Sequence, residues 1–314
     1  MEKHEDVTSI LSKLNLQDIE QTISQPYHET GPGRPPQNPL GIFKALIVKQ
    51  LRRIPSDREL YRRLWNDEAL REDCDIEERE NPYHPSQLTR FRNRVGTERL
   101  ECIMASLLEE LVEEGVVKGE TLALDATFIK AWSRRDPADD SRGLSDPESR
   151  VGRDGKIYDL GYKAHVAVDV ESDMSVAAVV ASANENEKKH AEELIEKASL
   201  VVEEVKNVVA DSQYSSEKVR GFVEELGAEP VIPYMSNQKR GEEVLRVDRF
   251  FRVSGPEEER RIYGLGRASV ERVNSRLDLV GLGGLKLRGL KNVAVHVLLF
   301  NRDADCGCDC CSAW

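Results

Sequence analysis

The chain has 314 residues, of which 39% are hydrophobic and 32% are charged, and its formal net charge is -12. This length predicts roughly two domains, and the apolar content is sufficient for a sizeable core. No apolar run approaches the roughly 20 residues of a membrane-spanning helix and no secretory leader pattern is present, so a membrane protein is excluded and a cytoplasmic location is predicted.

The charge is unevenly distributed along the chain. Residues 34–65 hold eight basic and two acidic residues, residues 86–99 carry a net charge of +3, and residues 260–302 hold nine basic and two acidic residues. Because affinity for a phosphate backbone comes from Lys and Arg, these blocks keep a nucleic-acid partner open despite the overall negative charge. Solvated charged faces are the simpler alternative for any one block.

Residues 1–115 are predicted to form an all-helical unit. Ser56, followed three residues later by Glu59, is typical of a capping box at a helix start, and Gly96 and Gly115 are predicted to end helices. The helices are expected at residues 1–25, 39–53, from 56 through 64, from 86 to 96, and at 97–115, with a stiff linker at 31–36.

From residue 116 to residue 302 the pattern changes to strands that alternate with helices. Strands are predicted at 120–127, 161–170, 174–182, 206–211 and 229–234, and helices at 187–204, 215–226 and 258–280. This order favours a mixed sheet with helices on its faces. Polar insertions are expected at 133–159, which we predict to be mobile, and at 236–257, and a Cys-rich tail at 303–314.

Three acidic residues lie where metal-dependent chemistry would place them. Asp125 lies within the first predicted strand, after Leu122 and Leu124, where an isolated carboxylate is expensive to bury. Asp211 ends a short strand, Glu271 lies in the long basic helix, and only a fold could bring the three together. Each also has an ordinary structural interpretation: a hydrogen-bonded turn former for Asp125, a helix cap for Asp211, and an ion pair with Arg267 for Glu271.

Four segments of the chain resemble the DDE transposases of prokaryotic insertion sequences. They are LALDATFIKAWS around Asp125, GYKAHVAVD, ADSQYSS with its Asp-x-x-Tyr pattern at Asp211 and Tyr214, and RASVERVNSRLDLVGLGGLKLRGL around Glu271. The N-terminal segments GRPPQNPLGIFKALIVKQLRRIPSDRELYRRLWND and HPSQLTRFRNRVG are similar to the helical DNA-binding domain of such enzymes. The resemblance covers nearly the whole chain.

The resemblance implies an α/β RNase H-like catalytic core, a mixed sheet flanked by helices, with an all-α N-terminal domain. It implies that residues 1–115 bind DNA, that residues 116–302 are the catalytic domain, and that Asp125, Asp211 and Glu271 are the catalytic, metal-binding triad. Carboxylate oxygens suit Mg²⁺ best, with Mn²⁺ as the alternative, and two such ions can activate the attacking oxygen and stabilise the leaving oxygen.

The implied activity is binding to terminal inverted repeats, metal-dependent strand cleavage and strand transfer into target DNA. The expected partners are double-stranded DNA and a second copy of the chain, with no membrane, and the expected location is the nucleoid. Arginines are the expected DNA contacts because they grip phosphate and stay charged. The candidates are Arg90, Arg92, Arg94, Arg267, Arg272 and Arg276, and Tyr214 and Lys163 are further candidate site residues.

Two positions depart from a pattern found in many relatives. Those relatives carry Tyr, two residues, Arg, three residues, Glu, six residues and then Lys. Here three residues separate Tyr263 from Arg267, and Asp278 stands at the Lys position. Two alternatives to an active transposase therefore stay open: a catalytically inactive, transposase-derived DNA-binding protein, and an RNase H-like nuclease without strand transfer.

Overall fold

The computed structural model describes residues 11, 15–27, 38–76, 82–202, 204–238, 243–248, 252–279 and 281–305. Its N-terminal part is helical, as the apolar spacing predicts. The helices are α1 (Leu16–Ser24), α2 (Pro39–Leu51), α3 (Asp57–Asn66), α4 (Glu68–Asp73) and α5 (Pro85–Glu113). The linker predicted at 31–36 lies outside the described residues, as do most residues before 15.

Local signals set the helix boundaries in this part. The Ser56 hydroxyl accepts a hydrogen bond from the backbone N–H of Glu59 at 3.1 Å, which confirms the predicted cap. The stop predicted at Gly96 takes the form of a break inside α5, where Gly96 has φ 76° and ψ -179°. An L side chain rarely adopts that backbone conformation, so glycine permits the change of direction there.

The sheet follows, with six strands in succession and helices among the strands only after the sixth. The strands are β1 (Thr121–Lys130), β2 (Arg135–Asp136), β3 (Asp139–Gly143), β4 (Arg150–Asp154), β5 (Ile157–Asp169), β6 (Met174–Ser182), β7 (Asn207–Ala210), β8 (Glu229–Val231), β9 (Arg246–Val247) and β10 (Val253–Ser254). The later helices are α6 (Ala191–Ser199), α7 (Glu217–Glu225), α8 (Glu257–Leu279) and α9 (Leu290–Asp305).

The sheet core runs in the order β6-β5-β1-β7-β8. β1 pairs antiparallel with β5 and parallel with β7, and β7 pairs parallel with β8. A long hairpin joins β5 to β6, as the two β-branched runs predict. This is the mixed sheet expected from the order of the elements, and helices cover both of its faces.

The segment at 133–159 contradicts the prediction of a mobile insertion. It forms β2, β3 and β4, which extend the sheet from the first half of β5. Backbone hydrogen bonds define these strands, and their side chains are mostly polar, so the composition did not reveal them. The predicted insertion at 236–257 is only partly described, with β9 and β10 paired in it, and the Cys-rich tail from residue 306 lies outside the described residues.

Two apolar clusters lie on the two sides of the sheet. One includes Ala123 and Val209 from the strands and continues through α8 and α9 into the N-terminal helices. The other contains Leu124 and Ala210 together with α6 and α7. Because successive strand residues point to opposite faces, Asp125 and Asp211 lie on the α8 side of the sheet.

Candidate active site

Two of the three predicted acids meet where β1 and β7 run side by side. The parallel register pairs Leu124 with Ala210, so Asp125 and Asp211 are the next residues along adjacent strands. Burial and then the charge of Asp125 raise the pKa of Asp211, although the N–H of Gln213 and the charge of Arg267 act in the opposite direction. Two carboxylates in mutual repulsion fit a divalent cation, which would compensate both charges.

Helix α8 passes over this pair closely enough to place its side chains on it. At Gly266 a Cβ atom would stand 2.7 Å from a Val209 side-chain carbon on β7, so glycine allows the helix to approach the sheet. The next residue, Arg267, lies with Nη1 3.3 Å from Oδ1 of Asp125. The Arg267 side chain is 24% exposed and that of Asp125 is 17% exposed, so this contact is largely shielded from water.

The third predicted acid is on α8 but is not gathered with the other two. Glu271 has a side chain that is 70% exposed, and its Oε1 lies 4.0 Å from Nη2 of Arg267. Among the described residues, no three His, Cys, Asp or Glu side chains form a group that could hold a metal ion. Only Asp125 and Asp211 of the three predicted acids therefore lie together in this structure. Glu271 lies one helical turn after Arg267, which is the residue between it and Asp125.

Asn274 is a residue of the site that the sequence did not predict. Asn274 on α8 donates from Nδ2 to Oδ2 of Asp125 at 3.0 Å, and its own Oδ1 is buried without a hydrogen-bond partner in the described part of the chain. Its spacing was the available signal, since it follows Glu271 by three residues and Arg267 by seven, on one face of the helix.

A polar cluster supports the pair from the strand side. Tyr214 is buried in the turn after Asp211, and its hydroxyl lies 3.3 Å from Nδ1 of His165. Burial, followed by the charges of the two aspartates, raises the pKa of Tyr214 well above its ordinary value. Burial also lowers the pKa of His165 to about 3, so this imidazole is neutral.

Lys163, the other additional candidate, forms an ion pair with Glu187 at 2.5 Å. Both line a cavity of about 600 Å³ that also reaches Thr127 on β1 and Gln213 beside Asp211. Glu187 was not predicted from the sequence, and its charge contributes to the raised pKa of Asp211.

The predicted DNA-contacting arginines have different environments. Arg90 and Arg94 are exposed, and Arg94 packs over the Tyr27 ring at 4.6 Å. Arg272 contacts Asp173 with two hydrogen bonds of 2.6 and 2.7 Å, and Arg276 lies 3.6 Å from the same carboxylate.

The prediction that Arg92 contacts DNA is wrong. Its side chain is 1% exposed and makes two hydrogen bonds to Asp57, of 2.7 and 2.8 Å. The physical reason is its spacing: Arg92 follows the buried Leu88 by four residues and precedes the buried Val95 by three, so it faces the interior.

The fold and the acid pair together define a class of protein: an enzyme with an RNase H-like core and a carboxylate site suited to divalent metal ions. The family model "Transposase DDE domain" matches residues 118–302, and the model "Transposase domain (DUF772)" matches residues 2–94. The chain belongs to the DDE transposase family, whose members use divalent metal ions. No curated protein matches the chain.

One solved structure supports the fold. The cryo-EM structure of the piggyBac transposase synaptic complex with hairpin DNA aligns with a TM-score of 0.51 at 11% identity, over 96% of this chain and 73% of that chain. The Mos1 transposase paired-end complex with left transposon end aligns over 65% of this chain and 61% of that chain at 13% identity, but its TM-score of 0.23 is too low to support an argument. None of the described helices is long and apolar enough to cross a membrane.

Proposed function

We propose that this enzyme is the transposase of a prokaryotic insertion sequence, which binds the terminal inverted repeats, cleaves the DNA strands there and transfers them to target DNA. The observation that carries the proposal is the parallel register of β1 and β7, which sets Asp125 beside Asp211 under α8. The family membership supports the reaction class, and the piggyBac transposase that shares the fold was solved as a synaptic complex with hairpin DNA.

The proposed catalytic and metal-binding residues are Asp125, Asp211 and Glu271. Bound divalent ions, Mg²⁺ in the first instance, supply activation of the attacking oxygen and stabilisation of the leaving oxygen. Asn274 orients Asp125 through its hydrogen bond to Oδ2. Arg267 lies beside the other oxygen of Asp125, with Nη1 3.3 Å from Oδ1, and so limits the positions that this carboxylate can take.

For DNA contact, the proposal rests most firmly on the exposed arginines of α5, Arg90 and Arg94. Arg272 and Arg276 remain candidates near the catalytic helix face, where a DNA phosphate would compete with Asp173 for their guanidinium groups. We assign recognition of the terminal repeats to residues 1–115 and strand chemistry to residues 116–302. Because two element ends must be joined, the active form is proposed to be a homodimer on DNA, acting at the nucleoid.

The test uses the purified full chain, Mg²⁺, and a labelled duplex that carries the inverted repeat flanking the reading frame. Wild type is expected to nick this duplex and to join the freed 3′ end to a supercoiled plasmid. The variant Asp125→Asn should lose both reactions by at least about a thousandfold, because it removes the ligand charge at the site.

Asp140→Asn is the matched control, since Asp140 is an exposed carboxylate with an 80% exposed side chain on β3, and it should react like wild type. Cleavage by Asp125→Asn at the wild-type rate would contradict the assignment of the acids. Cleavage without joined product would indicate a nuclease, and repeat binding without cleavage would indicate an inactive DNA-binding derivative.

A further inference from the structure

A second cavity lies beyond the far end of the strand that carries Asp125. Its volume is about 660 Å³, and it opens between the segment after β1 and the turn Leu282–Gly284 with the loop that follows. We call it the β1-end cleft. Its lining includes Lys130, Trp132, Arg134, Lys286 and Arg288.

Among the described residues, the lining of the β1-end cleft includes four basic side chains and no acidic one. Lys130 is paired with Asp159 at 2.7 Å. By contrast, Arg134, Lys286 and Arg288 are exposed and form no ion pair with any carboxylate in the part of the chain that the structure describes. In a protein with a net charge of -12, three such cations converging on one cavity indicate an anionic ligand.

A tryptophan side chain stands in the same cleft with much of its surface exposed. Trp132 is 51% exposed, and the ammonium of Lys286 lies 5.2 Å from its ring centroid. Arg288 fixes the segment by donating from Nε to the carbonyl oxygen of Trp132 at 2.9 Å. The indole is therefore held on a supported backbone, beside cations, with ring surface free to stack on a ligand.

We propose that the β1-end cleft binds single-stranded DNA, with one unpaired base stacked on Trp132 and phosphates held by Arg134, Lys286 and Arg288. An aromatic platform beside a row of cations is the combination that single strands use, because every base has a face to stack and every linkage carries a charge. Paired bases in an intact duplex are already stacked on each other, so phosphate contacts alone would not account for the exposed indole.

The position of the cleft fits the proposed function, on which this inference rests for the choice of DNA as ligand. Asp125 and Lys130 lie on one strand, five residues apart, and at about 3.3 Å per residue the cleft begins about 17 Å from the acid pair. The turn Leu282–Gly284 follows α8 directly and packs on β1. A strand released from pairing at the acid pair could thus run along β1 into the cleft.

The experiment measures binding of a fluorescein-labelled dT12 oligonucleotide and of a blunt duplex of equal length to the full chain, in EDTA, by anisotropy. Trp132→Ala should weaken binding of the oligonucleotide by about 5- to 100-fold and leave duplex binding nearly unchanged. Trp132→Phe should recover part of the affinity because it retains an aromatic face. Oligonucleotide binding should also quench the tryptophan fluorescence of wild type more than that of Trp132→Phe.

Charge variants test the phosphate contacts. Arg134→Ala and Lys286→Ala should each lower the slope of log affinity against log salt by about 0.7 for the oligonucleotide. Lys218→Ala is the matched control, since Lys218 is a surface cation with an 80% exposed side chain on α7, and it should leave that slope unchanged.

The outcomes separate this inference from the proposed function. If wild type cleaves the element end but Trp132→Ala binds the oligonucleotide as wild type does, the inference fails and the function stands. Equal weakening for oligonucleotide and duplex would also overturn the inference, since it would show a duplex phosphate groove. If wild type binds neither DNA and does not cleave the end, the proposed function fails and the inference fails with it.

Discussion

In two regions of this molecule an arginine on a helix contacts an aspartate, and the two contacts differ in their distances and in their exposure to water. In the first, which we call the helical cluster, Arg92 on α5 meets Asp57 at the start of α3, with Lys49 of α2 on the same carboxylate at 2.9 Å. Both terminal nitrogens of Arg92 are bonded to Asp57, and the arginine is 1% exposed.

The second region, the site cluster, consists of Asp125, Asp211, Arg267, Glu271 and Asn274. Here the arginine lies 3.3 and 4.0 Å from its two carboxylate neighbours, a buried amide oxygen has no partner among the described residues, and one carboxylate is mostly exposed. Residue type therefore does not distinguish a structural ion pair from a reactive site. Contact geometry does, because short paired contacts leave little capacity for a ligand, whereas long contacts and unmet oxygens retain it.

The largest effect should come from opening the helical cluster. Asp57→Asn removes the charge that Arg92 and Lys49 share in a buried place, so we expect the free energy of unfolding to fall by about 3 kcal/mol. Urea denaturation at pH 7 measures it. Asp211→Asn is the matched change in the site cluster, and it should leave stability unchanged or raise it, because it removes repulsion from Asp125. A loss from Asp211→Asn equal to that from Asp57→Asn would contradict the comparison.

Much of the fold and part of the candidate site could be predicted from the sequence. Alternation and helical spacing predicted the core strands and helices. The inward orientation of Arg92 was not predicted, although the buried Leu88 and Val95 lie on its side of the helix. The strands β2–β4 were missed because backbone pairing, not side-chain alternation, defines them. Asn274 was missed because its spacing from Arg267 and Glu271 gives it a helix face but no partner, and only the fold brings Asp125 to it.

A second, smaller effect should appear as pH dependence in the neighbourhood of the helical cluster. His296 on α9 is buried beside Gln50, whose Nε2 lies 3.1 Å from its Nδ1. Burial, then the charges of Lys49 and Arg92, lower the pKa of His296 well below its ordinary value. In the unfolded chain this histidine gains a proton below about pH 6.5, so the unfolded state binds more protons and is favoured as the pH falls.

We therefore expect His296 to contribute a loss of stability that approaches about 1.4 kcal/mol for each pH unit below pH 6, and about 2 kcal/mol in total between pH 7 and pH 5. Unfolding by urea at several pH values measures the slope. His296→Leu should be less stable at every pH, because Gln50 loses a partner, yet its slope in this range should be shallower. An unchanged slope in that variant would show that other groups carry the pH dependence.

The smallest predicted effect tests whether the open geometry of the site cluster is functional. Asn274→Ala removes the hydrogen bond to Oδ2 of Asp125, and groups that orient a metal ligand typically contribute tenfold or more. We expect cleavage of the element end to fall by about tenfold at limiting Mg²⁺ and to recover in part when Mg²⁺ is raised, because a less oriented Asp125 binds the ion more weakly. Asn66→Ala, at an exposed position on α3, is the matched control.

The Mg²⁺ dependence makes this prediction specific to orientation of Asp125. A substitution that only loosened α8 would lower the cleavage rate by the same factor at every Mg²⁺ concentration and would lower the unfolding temperature with it. An Asn274→Ala protein that unfolds like wild type and needs more Mg²⁺ for half-maximal cleavage would show that the amide supports cation binding through Asp125. If instead cleavage and Mg²⁺ dependence are both unchanged, the contact of Asn274 with Asp125 is incidental, and the longer contacts of the site cluster no longer mark it as functional.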